Sequence, residues 1–137
     1  MRKHLKHLKN EKGMTLIELL AVIVILAIIA AVAIPIIGNV IGDSRDKADV
    51  TEALNIISAA KLRHAQDPVE GTGDNFSYSN DELAGYIGNT SGFTSVDFDS
   101  TNWSIKGHDA ITVLDKEKDT DSVTEGELQE FLNGEDN

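Results

Sequence analysis

An uncharged apolar stretch runs from Leu19 to Ile37 and restricts the possible folds of this chain more than any other feature. Its 19 residues are almost entirely Ala, Val, Ile and Leu. As a helix they would extend roughly 28 Å, which is close to the thickness of the hydrocarbon core of a bilayer. The stretch is therefore long and apolar enough to span a membrane.

Charge is distributed unevenly along the chain. Five basic residues and one acidic residue precede Gly13, which gives this leader a net charge of +4, whereas the rest carries seven basic and 22 acidic residues, a net charge of −15. Lys and Arg beside a membrane span tend to stay in the cytoplasm. We therefore expect residues 1–13 to face the cytoplasm and everything after Ile41 to be exported. Basic residues confined to a leader also argue against contact with nucleic acid.

Glu18 is a carboxylate within the apolar sequence, directly before the uncharged stretch. A charged side chain at the centre of a bilayer costs about 2.5–3.5 kcal/mol on insertion scales. One interpretation is that Glu18 lies near the membrane surface, where its carboxylate reaches water. The other is that this carboxylate pairs with a cation inside an assembly of apolar helices.

The basic leader, Gly13 and the Met-Thr-Leu-Ile-Glu-Leu sequence that follows resemble the class III signal peptide of type IV pilins and pseudopilins. The resemblance covers residues 1–40, and Met14 stands where the family usually has Phe. It implies that a prepilin peptidase cleaves between Gly13 and Met14 and methylates the new amino terminus at Met14.

The resemblance also implies an assembly role for Glu18 and Pro35, which match the family pattern as the fifth and twenty-second residues of the mature chain. The α-amino group of Met14 would be a cation among apolar helices, and Glu18 of a neighbouring subunit would pair with it. A slipped helix would leave both charges unpaired in a medium of low dielectric constant. In this interpretation the charge pair fixes the register between subunits.

An ordinary secretory signal is the alternative, because Ala31-Val32-Ala33 has the small residues of a cleavage site. Pro35 lies two residues beyond that site, and the apolar run is longer than such a signal usually has. These features weaken the alternative. In functional terms, the alternative is a membrane-anchored or secreted surface binding module that does not polymerise.

Gly38 and Gly42 weaken the helical pattern after Pro35, because each glycine costs about 1 kcal/mol relative to alanine and the proline removes a backbone hydrogen bond. We expect a kink or a melted turn here. In the family, subunits lose helical order in this region when they enter the filament. A simple linker has the same composition, so that interpretation stays open.

An amphipathic helix is predicted from Ser44, its N-cap, to about Ala65. Three- and four-residue spacings define its apolar stripe, which consists of Val50, Ala53, Leu54, Ile57 and Ala60. Pro68 and the glycines after it indicate a loop. The stripe needs a cover, and the C-terminal half of the chain is the only material left to provide one.

The C-terminal half has few apolar residues and no cysteine, so we expect it to pack on the stripe. Residues 80–87 resemble a short helical turn, and 96–98 alternate like a strand. The segments 102–106 and 109–114, separated by Gly107-His108, predict a β-hairpin. At the end of the chain, Thr124 and Glu127 have capping-box spacing, and Gly134 can close a terminal helix.

The sequence therefore predicts an α+β fold. A long N-terminal helix, membrane-spanning in its first half and amphipathic in its second, packs on a small antiparallel sheet with a short terminal helix. The predicted divisions are a leader over 1–13, an apolar helix over 14–41, an amphipathic helix over 42–65 and an exported β-rich domain over 66–137.

No catalytic constellation is found, and we expect neither an enzyme nor a cofactor. Four acidic residues suggest calcium only weakly, because the EF-hand pattern has threonine at its glycine position and glycine at its final acid. These candidates are Asp115, Glu117, Asp119 and Asp121. His64 and His108 lie far apart in sequence, and no third metal ligand is suggested.

The resemblance implies a structural subunit of a type IV pilus or pseudopilus. Before assembly it would be a single-pass membrane protein with its amino terminus in the cytoplasm, and afterwards part of a filament at the cell surface. Its partners would be other pilin subunits, the prepilin peptidase, the membrane and, indirectly, an assembly platform and ATPases.

Overall fold

The computed structural model describes residues 2–68, 74–88 and 92–134, and within these it describes residues 2–11 by their backbone alone. The chain divides into two compact units, Met1–Gly42 and Asp43–Asn137. Helix α1, Arg2–Gln66, contributes to both. Good helix formers, chiefly Ala, Leu and Lys, recur along it, and Pro35 is its single proline.

The backbone is helical from Pro35 through Ser44. A helix gains one hydrogen bond for each residue it adds, whereas a new start needs a costly nucleus, so two glycines are not enough to interrupt it. The predicted melted turn is thus absent from these residues. The prediction of Ser44 as a helix N-cap was wrong, because α1 continues through this residue and no helix begins there. Loss of helical order on entering a filament stays a prediction.

The second unit contains a four-stranded antiparallel sheet whose strands are neighbours in sequence order. Short helices lie between and after the strands. The elements are β1 (Asn75–Ser79), α2 (Asn80–Leu83), β2 (Ser95–Asp99), β3 (Trp103–Lys106), α3 (Ala110–Val113), β4 (Ser122–Thr124) and α4 (Glu125–Asn133). The predicted α+β class, with a long N-terminal helix, a small antiparallel sheet and a short terminal helix, is confirmed.

The core is organised around one fully buried residue from each strand. The register sets Tyr78 opposite Val96, Val96 opposite Ile105 and Ile105 opposite Val123, so these side chains form a row on one face of the sheet. The stripe of α1 belongs to the same cluster. It differs from the predicted stripe in two positions, since Ile56 is fully buried and Leu54 only partly.

The predicted β-hairpin was wrong in its second strand. β3 pairs with β2 and β4, and the segment 109–114 contains the one-turn helix α3. Ala110 and Ile111 are adjacent and both fully buried. Successive residues of a strand point to opposite faces, whereas a helix can direct both side chains toward one core.

The predicted terminal helix is confirmed in its details. The N–H of Glu127 donates to Oγ1 of Thr124 at 3.3 Å, and the N–H of Thr124 donates to the Glu127 carboxylate at 2.8 Å. Gly134 ends α4 with a left-handed φ of 72°. These bonds satisfy N–H groups that the first turn of a helix leaves without intrahelical partners.

We predict that Gly107→Ala destabilises the second unit more than Gly134→Ala, although both glycines have a φ of +72°. A Cβ at residue 107 would lie 2.2 Å from Oγ1 of Thr94 and 2.9 Å from its backbone nitrogen, whereas one at residue 134 would meet nothing within 4 Å. We expect about 1 kcal/mol for Gly134→Ala from backbone strain alone, and about 2–4 kcal/mol for Gly107→Ala.

Denaturant unfolding of the chain in detergent, followed by the fluorescence of the single tryptophan, Trp103, measures both losses. Equal losses in the two variants would contradict the clash with Thr94.

Candidate functional site

The apolar half of α1 is exposed along its length. The large apolar side chains from Met14 to Ile41 are between 49% and 68% exposed. Burying such a side chain is worth about 1.5–3 kcal/mol, so this surface strongly favours lipid or other apolar helices over water. In the part of the chain that the structure describes, α1 is the one helix long and apolar enough to cross a membrane.

Glu18 is exposed on this apolar surface. Among side chains described in the structure, none forms an ion pair or a hydrogen bond with its carboxylate. Met14 lies four residues earlier, which places it about 6 Å along the helix axis and on the same face. A positive charge at Met14 would therefore lie on the same side of the helix as the Glu18 carboxylate, one turn away.

Thr15 is the second residue after the predicted cleavage site. Its hydroxyl donates to the carbonyl of Lys12 at 3.0 Å, a bond between the predicted mature chain and the predicted leader. Cleavage after Gly13 would remove this acceptor and leave the first N–H groups of the mature helix without intrahelical partners. The new amino terminus would carry the positive end of the helix dipole.

Gly13, Gly38 and Gly42 are not required by packing within the chain. A Cβ added at any of them would meet nothing within 4 Å. Small residues on an apolar helix allow a second helix to approach closely. Pro35 is exposed on the same apolar segment. The described contacts within the chain therefore do not explain these residues, which leaves contacts with other molecules as the explanation to test.

The four weak calcium candidates are not gathered around a common point. In the described ranges, no group of three or more His, Asp or Glu side chains is placed to hold a metal ion. Instead Asp121 accepts the N–H of Glu117 at 2.9 Å, which closes the turn between α3 and β4. Asp115 has a left-handed φ of 57° in the same connection.

The two histidines of the second unit have separate environments that the sequence did not reveal. The ring of His64 stacks on Phe76 with centroids 4.1 Å apart, and its Nδ1 lies 2.8 Å from the hydroxyl of Tyr78. His108 is fully buried at the start of α3. Both rings contact side chains that are distant in sequence, so no local sequence pattern could predict their environments.

Comparison with known proteins gives one match. Residues 8–34 match the family model of the prokaryotic N-terminal methylation motif, about a fifth of the chain. The chain thus carries the class III signal peptide of type IV pilins and pseudopilins, which confirms the resemblance of its first residues. Neither the curated proteins nor the solved structures contain a significant match.

The matched segment contains every candidate residue of the apolar helix up to Ile34, including Gly13, Met14 and Glu18. Pro35 follows it directly, and Gly38 and Gly42 lie four and eight residues beyond its end. The motif indicates a type IV pilin-like precursor, and the exposed apolar helix fits membrane anchoring of such a precursor.

We predict that the double variant Leu26→Lys/Ile29→Lys loses its membrane anchor. Both residues are 56% exposed at the middle of the apolar segment, and two lysines there cost about 5–7 kcal/mol of insertion free energy. Alkaline carbonate extraction of cells measures the fraction that stays in the membrane, and we expect most of the variant in the soluble fraction.

The matched control is Ala48→Lys/Thr51→Lys, which adds the same charges with the same spacing at exposed positions of α1 in the second unit. We expect it to stay with the membrane. Retention of both variants would show that the segment 14–41 is not the anchor.

Proposed function

We propose that this chain is the precursor of a structural filament subunit of the type IV pilus or pseudopilus class. A prepilin peptidase would remove residues 1–13 and methylate Met14, and the mature subunits would polymerise through their apolar helices. The subunit itself catalyses no reaction. An assembly platform in the membrane and cytoplasmic ATPases would supply the work of filament extension.

The observation that carries this proposal is an apolar helix with a single acidic side chain and no cover. A plain membrane anchor has no use for a carboxylate at Glu18, where charge is costly. In a bundle of processed subunits this carboxylate has a use, because each new amino terminus brings a cation that needs a partner of opposite charge. The Glu18 carboxylate, which has no partner among the described side chains, and the methylation motif therefore support assembly over simple anchoring.

Repulsion between the exported units also favours assembly through the helices. The chain after Gly13 has a net charge of −15, and five of its seven basic side chains already pair with carboxylates of the same chain. Like charges repel across a Debye length of about 10 Å at moderate salt. The apolar helices would therefore provide most of the attraction between subunits.

Before assembly, the apolar helix would hold the subunit in the membrane. The +4 leader favours a cytoplasmic amino terminus, which leaves the acidic second unit on the outside. Extraction from lipid into a filament then exchanges one apolar environment for another. Such an exchange needs no large loss of hydrophobic free energy.

Cleavage at Gly13 is tested by mass spectrometry of the mature amino terminus. We predict N-methylated Met14 in the wild type and an uncleaved leader in Gly13→Leu. A Cβ at residue 13 meets nothing within 4 Å, so we expect the substitution to leave the fold unchanged. The control Gly38→Leu adds the same side chain to equally open space in the same helix and should be cleaved. A wild-type chain starting at Met1 or Ile34 would refute the proposal.

The charge of Glu18 is tested by Glu18→Gln, which keeps the shape of the side chain and removes its charge. We predict normal cleavage and membrane insertion, with the yield of sheared filaments reduced at least about tenfold, because an uncompensated buried charge costs more than 1.4 kcal/mol. Electron microscopy and blotting of the sheared fraction measure the yield.

Asp46→Asn is the matched control, since it removes one carboxylate from α1 outside the apolar segment. It should leave the filament yield unchanged. Normal filaments from Glu18→Gln would exclude the register role of this charge. A wild-type chain that is cleaved but stays monomeric in the envelope would favour the anchored binding module.

A further inference from the structure

His108 is the one buried polar or charged side chain among residues whose side chains the structure describes. It lies between β3 and α3, directly after Gly107. A buried imidazole is costly to charge, because desolvation penalises the protonated form. The contacts of this ring therefore determine which protonation state the folded second unit accepts.

The ring of His108 connects α3 to α1. Its Nδ1 accepts the N–H of Ala110 at 3.1 Å, so in the neutral ring the proton lies on Nε2. Nε2 lies 3.8 Å from Oε1 of Glu52 on α1. Nδ1 is thus hydrogen-bonded to the first residue of α3, and Nε2 is directed at a carboxylate of α1.

Three acidic side chains act on the charge of the ring, and one of them is paired with a lysine. Burial lowers the pKa of His108 below its ordinary value of 6.5, while Glu52, Asp109 and Asp49 act in the opposite direction. Lys118 binds the carboxylate of Asp109 and lowers the pKa of that group, so Asp109 stays charged in mildly acidic solution. The effect of burial on the pKa of His108 therefore outweighs the opposite effect of the three nearby carboxylates.

We propose that His108 is a pH-sensitive latch that holds α3 on α1 only while its ring is uncharged. A proton on Nδ1 would turn the acceptor of the Ala110 N–H into a donor, so two donors would face each other. The charged ring can then no longer keep its buried position beside the Ala110 N–H, so the link between α3 and α1 through this ring is lost. This loss removes the partner of the Ala110 amide and opens the start of α3.

The direction of the pH dependence follows from the two protonation equilibria. The unfolded chain takes up a proton as the pH falls through 6.5, whereas the folded unit takes it up only at lower pH. The contribution of His108 to stability is therefore intact above pH 6.5 and is lost as the pH falls below it. Between pH 7.5 and 5.5 the folding equilibrium constant falls by up to about tenfold.

The latch is tested on the full chain in detergent micelles by two NMR measurements. The first is the titration of the His108 ring, which we expect to have its midpoint below pH 6.5. The second is the hydrogen-exchange protection of the Ala110 amide, corrected for the intrinsic rate. We expect this protection to fall by up to about tenfold from pH 7.5 to 5.5.

Two variants serve as controls. His108→Asn keeps an oxygen near the position of Nδ1 and does not titrate, so the protection of Ala110 should not change with pH. His64→Asn removes the other histidine of the second unit and should keep the wild-type pH dependence. A His108 midpoint at or above 6.5, or pH-independent protection of Ala110 in the wild type, would overturn the proposal. Both of these readouts use the wild-type chain, and neither depends on filament assembly.

Discussion

The apolar surface of residues 14–41 is the constraint on which the rest of this protein depends. Its large side chains are about half to two-thirds exposed, and each is worth about 1.5–3 kcal/mol when buried. Summed over the segment, this exceeds the 5–15 kcal/mol by which a domain is usually stable. The surroundings of this helix, lipid or other helices, therefore dominate the energetics of the whole chain.

Charge gives this apolar surface its direction and its specificity. A basic leader on one side and a strongly acidic unit on the other distinguish the two ends of the span. Hydrophobic attraction is non-directional, so it cannot by itself fix the axial position of one helix beside another. In the proposed filament that task falls to Glu18, whose carboxylate has no partner among the described side chains.

The second unit is small enough that helix and sheet share one core. Residues of α1 supply five of the fourteen buried apolar side chains in this cluster, and each strand adds one. A three-stranded or four-stranded sheet with so few anchors needs a helix against one face to be stable. The C-terminal half of α1 is therefore part of the fold of the second unit and more than a connector to it.

The sequence by itself determined the features whose physical causes are local: the length of the apolar helix, the uneven charge, the motif around Gly13 and the capping box at Thr124. Tertiary structure decided the features that need a distant partner. β1 and β4 were not predicted, since a strand takes its hydrogen bonds from another segment, and β4 has a single buried residue, Val123, to mark it. The segment 110–113 is helical because Ala110 and Ile111, adjacent in sequence, both face one core, and His108 is buried beside Glu52, 56 positions earlier in the chain.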